Sequence, residues 1–191
     1  MRSKFALVAL LILSSFPVLA QVSPAAKVGG LPLSFGFGVS DYGLDYGQGR
    51  RMIGLSATGD YSVFHGIGVE CEGTTIFADK PDALTRMKQS TIKGGAIYKY
   101  HPVFGIRPYV KALYGLGSID FPSRNPLYTH DTYNMWALGG GAEYRIWSSL
   151  YVRGDYEYQT WPHFQSRTKS LDPNGFTVGA DYYLRGFHKH Y

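Results

Sequence analysis

Cysteine is nearly absent: Cys71 is the only one in 191 residues. No internal disulfide can form, which excludes the small secreted folds stapled by cystine bridges. Charge is also sparse, at 17% of residues, and no Lys/Arg run occurs, so nothing argues for nucleic-acid binding. Beyond the N-terminus no apolar stretch approaches the roughly 18 residues of a membrane helix. No segment carries the 3.6-residue periodicity of a long amphipathic helix. Gly139-Gly140-Gly141 precedes no helix, so it lacks the context of a nucleotide-binding loop and reads as a place of close strand approach.

Aromatics and glycine are abundant, with 16 Tyr, 11 Phe and 24 Gly, and this excludes a disordered chain. The N-terminus has its own logic. Arg2 and Lys4 precede the apolar run FALVALLIL, and Val18-Leu19-Ala20 follows with small residues where a signal peptidase reads. Residues 1–20 are therefore expected to be a cleaved signal peptide. Gln21 stands where a lipoprotein would carry cysteine. Residues 21–31 form a periplasmic N-terminal segment in this reading, 32–184 the folded domain, and 185–191 a short periplasmic tail. Losing Arg2 and Lys4 lowers the net charge of +5 by two, which leaves a mildly basic chain.

From Leu33 onward the sequence alternates with period two, the mark of strands with unlike faces. In LSFGFGVS, Leu33, Phe35, Phe37 and Val39 oppose Ser34, Gly36, Gly38 and Ser40. Seven further segments follow, at about 51–61, 67–77, 90–100, 106–117, 133–146, 150–160 and 175–184. Their charged faces carry Asp60; Glu70 and Glu72; Lys93 and Lys99; Arg107 and Lys111; Glu143 and Arg145; Arg153, Asp155 and Glu157; and Asp181. Their other faces carry Ile, Val, Leu and aromatics. Three connections are tight (62–66, 101–105, 147–149) and four are long (about 41–50, 78–89, 118–132, 161–174).

Eight strands of bilayer-spanning length with alternating short and long connections predict an all-β fold: an eight-stranded antiparallel transmembrane β-barrel of up-and-down topology. In lipid every backbone group must pair internally, so the sheet closes. Apolar faces meet lipid and charged faces line the interior. Tyr61, Tyr98, Tyr100, Tyr144 and Tyr182 then fall near the ends with short turns, and Phe77, Trp136 and Tyr158 near the other, as two interfacial girdles. The competing architecture, a soluble eight-stranded barrel, would need an apolar cavity rather than a charged one.

This plan resembles the OmpA-like transmembrane domain, or more broadly the outer-membrane β-barrel domain family. GGGAEYRIWSSLYVRGDYEYQ (139–159) is similar to that family's penultimate hairpin. TVGADYYL (177–184) resembles its C-terminal assembly signal, through Thr177, Gly179, Tyr182 and Leu184. The resemblance implies a porin-like or OmpA-like protein of a Gram-negative cell envelope, located in the outer membrane and handled by the barrel-insertion machinery. RGFHKHY (185–191) departs from the pattern, since the signal usually ends the chain.

The charged positions Asp60, Glu70, Glu72, Lys93, Lys99, Arg107, Lys111, Glu143, Arg145, Arg153, Asp155, Glu157 and Asp181 are read as one interior charge network. An interior of this size is filled by side chains. The function expected is structural or surface-interacting, with the long loops as contact surface for an unidentified extracellular ligand. A low-conductance pore is the alternative, and a lipid-modifying enzyme a distant one, because His163 and Ser166 lie on a long loop. The chain is read as no enzyme and as a monomer in contact with outer-membrane lipid and lipopolysaccharide. No cofactor, metal or nucleic acid is expected; His188 and His190 are read as solvated tail residues. Arg153-Gly154-Asp155 has the form of an adhesion tripeptide, but alternation places it inside a strand with both charges turned inward.

Overall fold

The computed structural model describes residues 33–43, 51–78, 87–120, 130–164 and 170–184. The expected signal peptide, the N-terminal segment and the tail therefore lie outside the described residues, as do the tips of the four long loops. Eight strands occupy most of the rest: β1 (Leu33–Gly43), β2 (Arg51–Phe64), β3 (Ile67–Ala78), β4 (Lys88–Lys99), β5 (Ile106–Asp120), β6 (His130–Arg145), β7 (Leu150–Thr160) and β8 (Asn174–Tyr183). Each pairs antiparallel with its neighbours in sequence, and β1 pairs with β8 to close the ring. Closure leaves no unpaired edge.

Alternation sets the faces as the sequence predicts. Phe37, Leu55, Ile92, Val110, Leu138 and Val178 are exposed on the outer wall, whereas Ser56, Glu72, Lys93, Lys111, Asp155 and Asp181 are buried inside. Water would not tolerate so continuous an apolar exterior around a polar interior; a hydrocarbon surround accounts for it. Tyr61, Tyr98, Tyr100, Tyr144 and Tyr182 are exposed at one end of the wall, and Phe77, Trp136 and Tyr158 at the other.

The strands outrun their sequence-derived limits mainly at the end bearing the long loops, here called the loop end. β5 continues to Asp120 and β6 begins at His130, where the His130 Nδ1 and Asp120 Oδ1 atoms stand 2.5 Å apart. The opposite, turn end holds tight hairpins. Two of them share one device: His65-Gly66 and Phe104-Gly105 each place consecutive residues at positive φ. Such turns match the right-handed twist of the flanking strands, and their second position favours glycine.

Candidate functional site: the barrel interior

Inward residues of all eight strands meet in the lumen, which is divided into two layers. Nearer the turn end lies a dense set of ion pairs. Lys111, from β5, is its first hub: Nζ stands 2.6 Å from Glu72 Oε2, 3.1 Å from Glu157 Oε2, 3.2 Å from Glu70 Oε1 and 3.6 Å from Asp155 Oδ1. Lys93 ties Glu72, at 3.1 Å, to Glu157.

Arg153, from β7, is the second hub. Its Nη2 lies 2.6 Å from Glu70 Oε2, its Nε 3.0 Å from Asp155 Oδ2, and its Nη1 3.5 Å from Asp60 Oδ2 and 3.7 Å from Asp181 Oδ2. Nε also donates to Tyr109 Oη at 2.7 Å, the guanidinium stacks 4.6 Å from the Tyr109 ring centroid, and the Tyr109 hydroxyl donates to Asp155. Arg153 solves a specific problem. Register places Asp60 directly opposite Glu70 on β2 and β3, two like charges that repel. The guanidinium fork reaches across the lumen and bonds both.

Lys99 is a third hub, with Nζ 2.8 Å from Asp60 Oδ2 and 2.5 Å from Glu143 Oε1. Tyr183 joins here, accepting from Lys99 at 2.7 Å and donating to Glu143 at 2.8 Å. Asp60, Glu143 and Asp181 bring carboxylate oxygens within 4.8 Å of one another, a spacing that could hold a cation among the described residues. The Lys99 ammonium already bonds two of the three, so these residues do not fit a resident metal.

The structure thus brings together Asp60, Glu70, Glu72, Lys93, Lys99, Lys111, Glu143, Arg153, Asp155, Glu157 and Asp181, all buried. Two residues assigned to the network stand differently. Arg107 is partly exposed and only grazes it, with Nη1 3.6 Å from Glu143 Oε2. Arg145 does not belong to it: its side chain is exposed and forms no ion pair among the described residues. The reason is geometric, since β6 ends at Arg145 and its last inward position opens onto the mouth.

The second layer, towards the loop end, is apolar. Tyr42, Met52, Ile76, Met87, Leu113, Ile119, Met135, Ala137, Trp161, Phe164 and Leu171 form one buried cluster. Period two alone marks the inner face as polar throughout and 161–174 as loop, and so gives no sign of this layer. Its signal lies in strand segments that are apolar on both faces, such as Leu113-Tyr114 on β5. Trp161 and Leu171 exchange two backbone hydrogen bonds, which extends the β7–β8 hairpin and brings the indole over the lumen. Gly117 makes room for it; a Cβ there would lie 2.2 Å from Trp161 Cη2. The layers are stitched by hydrogen bonds from the Tyr42 hydroxyl to Glu157 and from Trp161 Nε1 to Gln159, whose own amide donates to Glu157.

The remaining sequence features are placed as follows. Arg153 and Asp155 of the adhesion-like tripeptide are buried and bonded to each other within β7. Gly139 and Gly141 face inward, and a Cβ on Gly141 would lie 2.2 Å from the Gly154 carbonyl oxygen, so close approach requires glycine there. Thr177 is buried with its hydroxyl 2.9 Å from that of Ser40, Gly179 faces inward, and Tyr182 is exposed. Leu184 lies just past β8 and its amide donates to the Leu33 carbonyl. His163 lies at positive φ beyond β7, while Ser166, His188 and His190 fall outside the described residues. Cys71 is exposed on the lipid-facing wall.

The family model of the outer membrane protein beta-barrel domain matches residues 6–183. No curated protein sequence matches the chain significantly. Among solved structures, Neisserial surface protein A is similar at 15% identity and a TM-score of 0.61, covering 78% of this chain and 94% of that one. Ail, the attachment invasion locus protein of Yersinia pestis, solved with the heparin analogue sucrose octasulfate, is similar at 16% identity and a TM-score of 0.53, covering 80% and 96%. The N-terminal β-barrel domain of Pseudomonas aeruginosa OprF is similar at 18% identity and a TM-score of 0.50, covering 80% and 99%. At such identities the likeness is one of fold.

Proposed function

Because the chain belongs to the outer membrane protein beta-barrel domain family, and so resides in the outer membrane, we propose that it is a closed barrel with a structural or surface-interacting role. Its working surface is the loop end, and its lumen is a core rather than a channel. One observation carries this reading: the lumen is filled twice over, by ion pairs converging on Lys111 and Arg153 and by the apolar layer beneath Trp161. An ion entering from the loop end would have to displace apolar side chains and then break buried pairs. Lipopolysaccharide and outer-membrane lipid surround a monomer in this reading, the insertion machinery acts on β8 during assembly, and a ligand of the loops remains to be identified by binding experiments. Nothing in this role calls for catalysis.

The test is electrical. Purified protein inserted in planar bilayers is expected to stay silent across voltage and pH. Stable, voltage-dependent unitary currents would transfer the function to the second reading, a low-conductance pore. That reading has its own support. Within the buried layer carboxylates outnumber bases, and the Asp60 Oδ1 oxygen has no hydrogen-bond partner among the described residues. A lumen of that character would favour cations.

A further inference from the structure

Two arginines stand side by side at the turn-end mouth, one of them outside every ion pair described above. Arg107 of β5 pairs in register with Glu143 of β6, and Arg145 lies two residues further along β6 on the same inner face. They share a recess of about 380 Å³ with Pro102, Gly105, Tyr144 and Tyr151. The Arg107 guanidinium is held over the rings of Tyr151 and Tyr183, 5.3 Å and 5.8 Å from their centroids. Its nearest carboxylate is a weak partner at 3.6 Å, because Glu143 is already engaged by Lys99 and the Tyr183 hydroxyl. Arg145 has no carboxylate among the described residues. Of these two neighbouring cations, one has a single weak carboxylate contact and the other has none, so an anion in the recess would balance charge that the described residues leave uncompensated.

The surroundings indicate which anion. The rim of this end is apolar and aromatic on each tight turn: Val63 and Phe64, Val103 and Phe104, Ile146 and Trp147 are exposed, Phe104 to 98%. Aromatic rims of this kind sit at the level of lipid headgroups. Tyr144, which lines the recess, also faces the lipid-side wall, where it is 54% exposed. The recess thus opens where phosphodiester groups are concentrated. Guanidinium forks match phosphate oxygens with paired, charge-assisted hydrogen bonds, and a stacked arginine is already oriented for them.

We propose that Arg107 and Arg145 form a phosphate-binding site at the turn-end rim, whose natural occupant is the headgroup phosphate of a phospholipid in the adjoining leaflet. The protein, refolded in an uncharged maltoside detergent, is titrated separately with inorganic phosphate and with short-chain phosphatidylglycerol. The arginine Nε–H signals are followed by NMR. Saturable shifts of the Arg107 and Arg145 signals are expected, with phosphatidylglycerol the tighter titrant; tighter binding of inorganic phosphate would overturn the lipid headgroup as occupant. Arg145→Gln should weaken binding by about tenfold or more, the scale of one lost charge-assisted hydrogen-bonded contact. Arg145→Lys, which keeps the charge without the fork, should retain part of the affinity. Correct folding of each variant is established by its heat-dependent shift in gel mobility. Absence of saturation with both titrants, or unchanged affinity in a folded Arg145→Gln, would overturn the site.

Discussion

Arg153 is, with Lys111, one of two residues that each bring four buried carboxylates together. Four carboxylates, on Asp60, Glu70, Asp155 and Asp181, lie within 3.7 Å of its guanidinium nitrogens. Replacing Arg153 with Met removes the one cation that bonds both Asp60 and Glu70 and leaves the facing pair to separate lysines, Lys99 and Lys111. The expected loss is about 3–5 kcal/mol, the cost of stranding a buried charge, measured by urea unfolding in liposomes. Asp155→Asn should also lower stability, by less, because Tyr109 and Arg153 can still bond the remaining oxygen. Arg145→Gln, by contrast, should leave the urea midpoint unchanged. If loss at Arg145 matched that at Arg153, the division between network and mouth would be wrong. Cell adhesion offers a separate check on the tripeptide: in Asp155→Asn it should fall only in proportion to the folded protein present, since both charges are buried.

At the level of elements, face and order were legible in the sequence while depth was not. Period two in segments such as LSFGFGVS gives each strand its lipid side, because the membrane imposes opposite solvents on the two faces. Alternation is blind, however, to position along the barrel axis. Met52, Ile76, Leu113 and Met135 occupy inward positions like Glu72 or Lys111, and only register reveals that they gather at one end. Trp161 escaped for a related reason, since Pro162 follows it and suggests that the strand has ended. Arg145, exposed at the last inward position of β6, marks the limit of alternation, which cannot show where the lumen stops and the mouth begins.

Two predictions belong to this scale. Trp161→Ala should cost about 3–5 kcal/mol, as large aromatic truncations in a packed core do, with the unfolding midpoint as readout. Gly66→Ala combines a positive φ of 86° with a Cβ only 2.2 Å from the Lys99 carbonyl oxygen. It should destabilise by more than the roughly 1 kcal/mol expected of strain at an unobstructed position, and slow refolding into vesicles would accompany it.

For the whole molecule, the inverted distribution of polarity is the property that matters. Leu138, 64% exposed near the middle of β6, faces lipid. Leu138→Arg should cost about 2–4 kcal/mol in a bilayer, whereas a water-soluble barrel would accept the same change at its surface with little loss. Equilibrium refolding into vesicles measures it. The match of a family model to residues 6–183 and the closed ring of eight strands agree on the architecture.

Ring closure has a kinetic corollary. The pairing of β1 with β8 joins residues as far apart as Ser34 and Tyr183, so the final seam cannot form until the whole chain is present. Arg153 cannot meet Asp60 and Asp181 together before β2, β7 and β8 are assembled. A partly inserted sheet would therefore hold unmatched charges and two bare strand edges in hydrocarbon, an expensive intermediate. Insertion and neutralisation are therefore expected to be coupled, the ion pairs that stabilise the finished barrel making half-built ones costly; a half-inserted species accumulating during refolding into vesicles would contradict this.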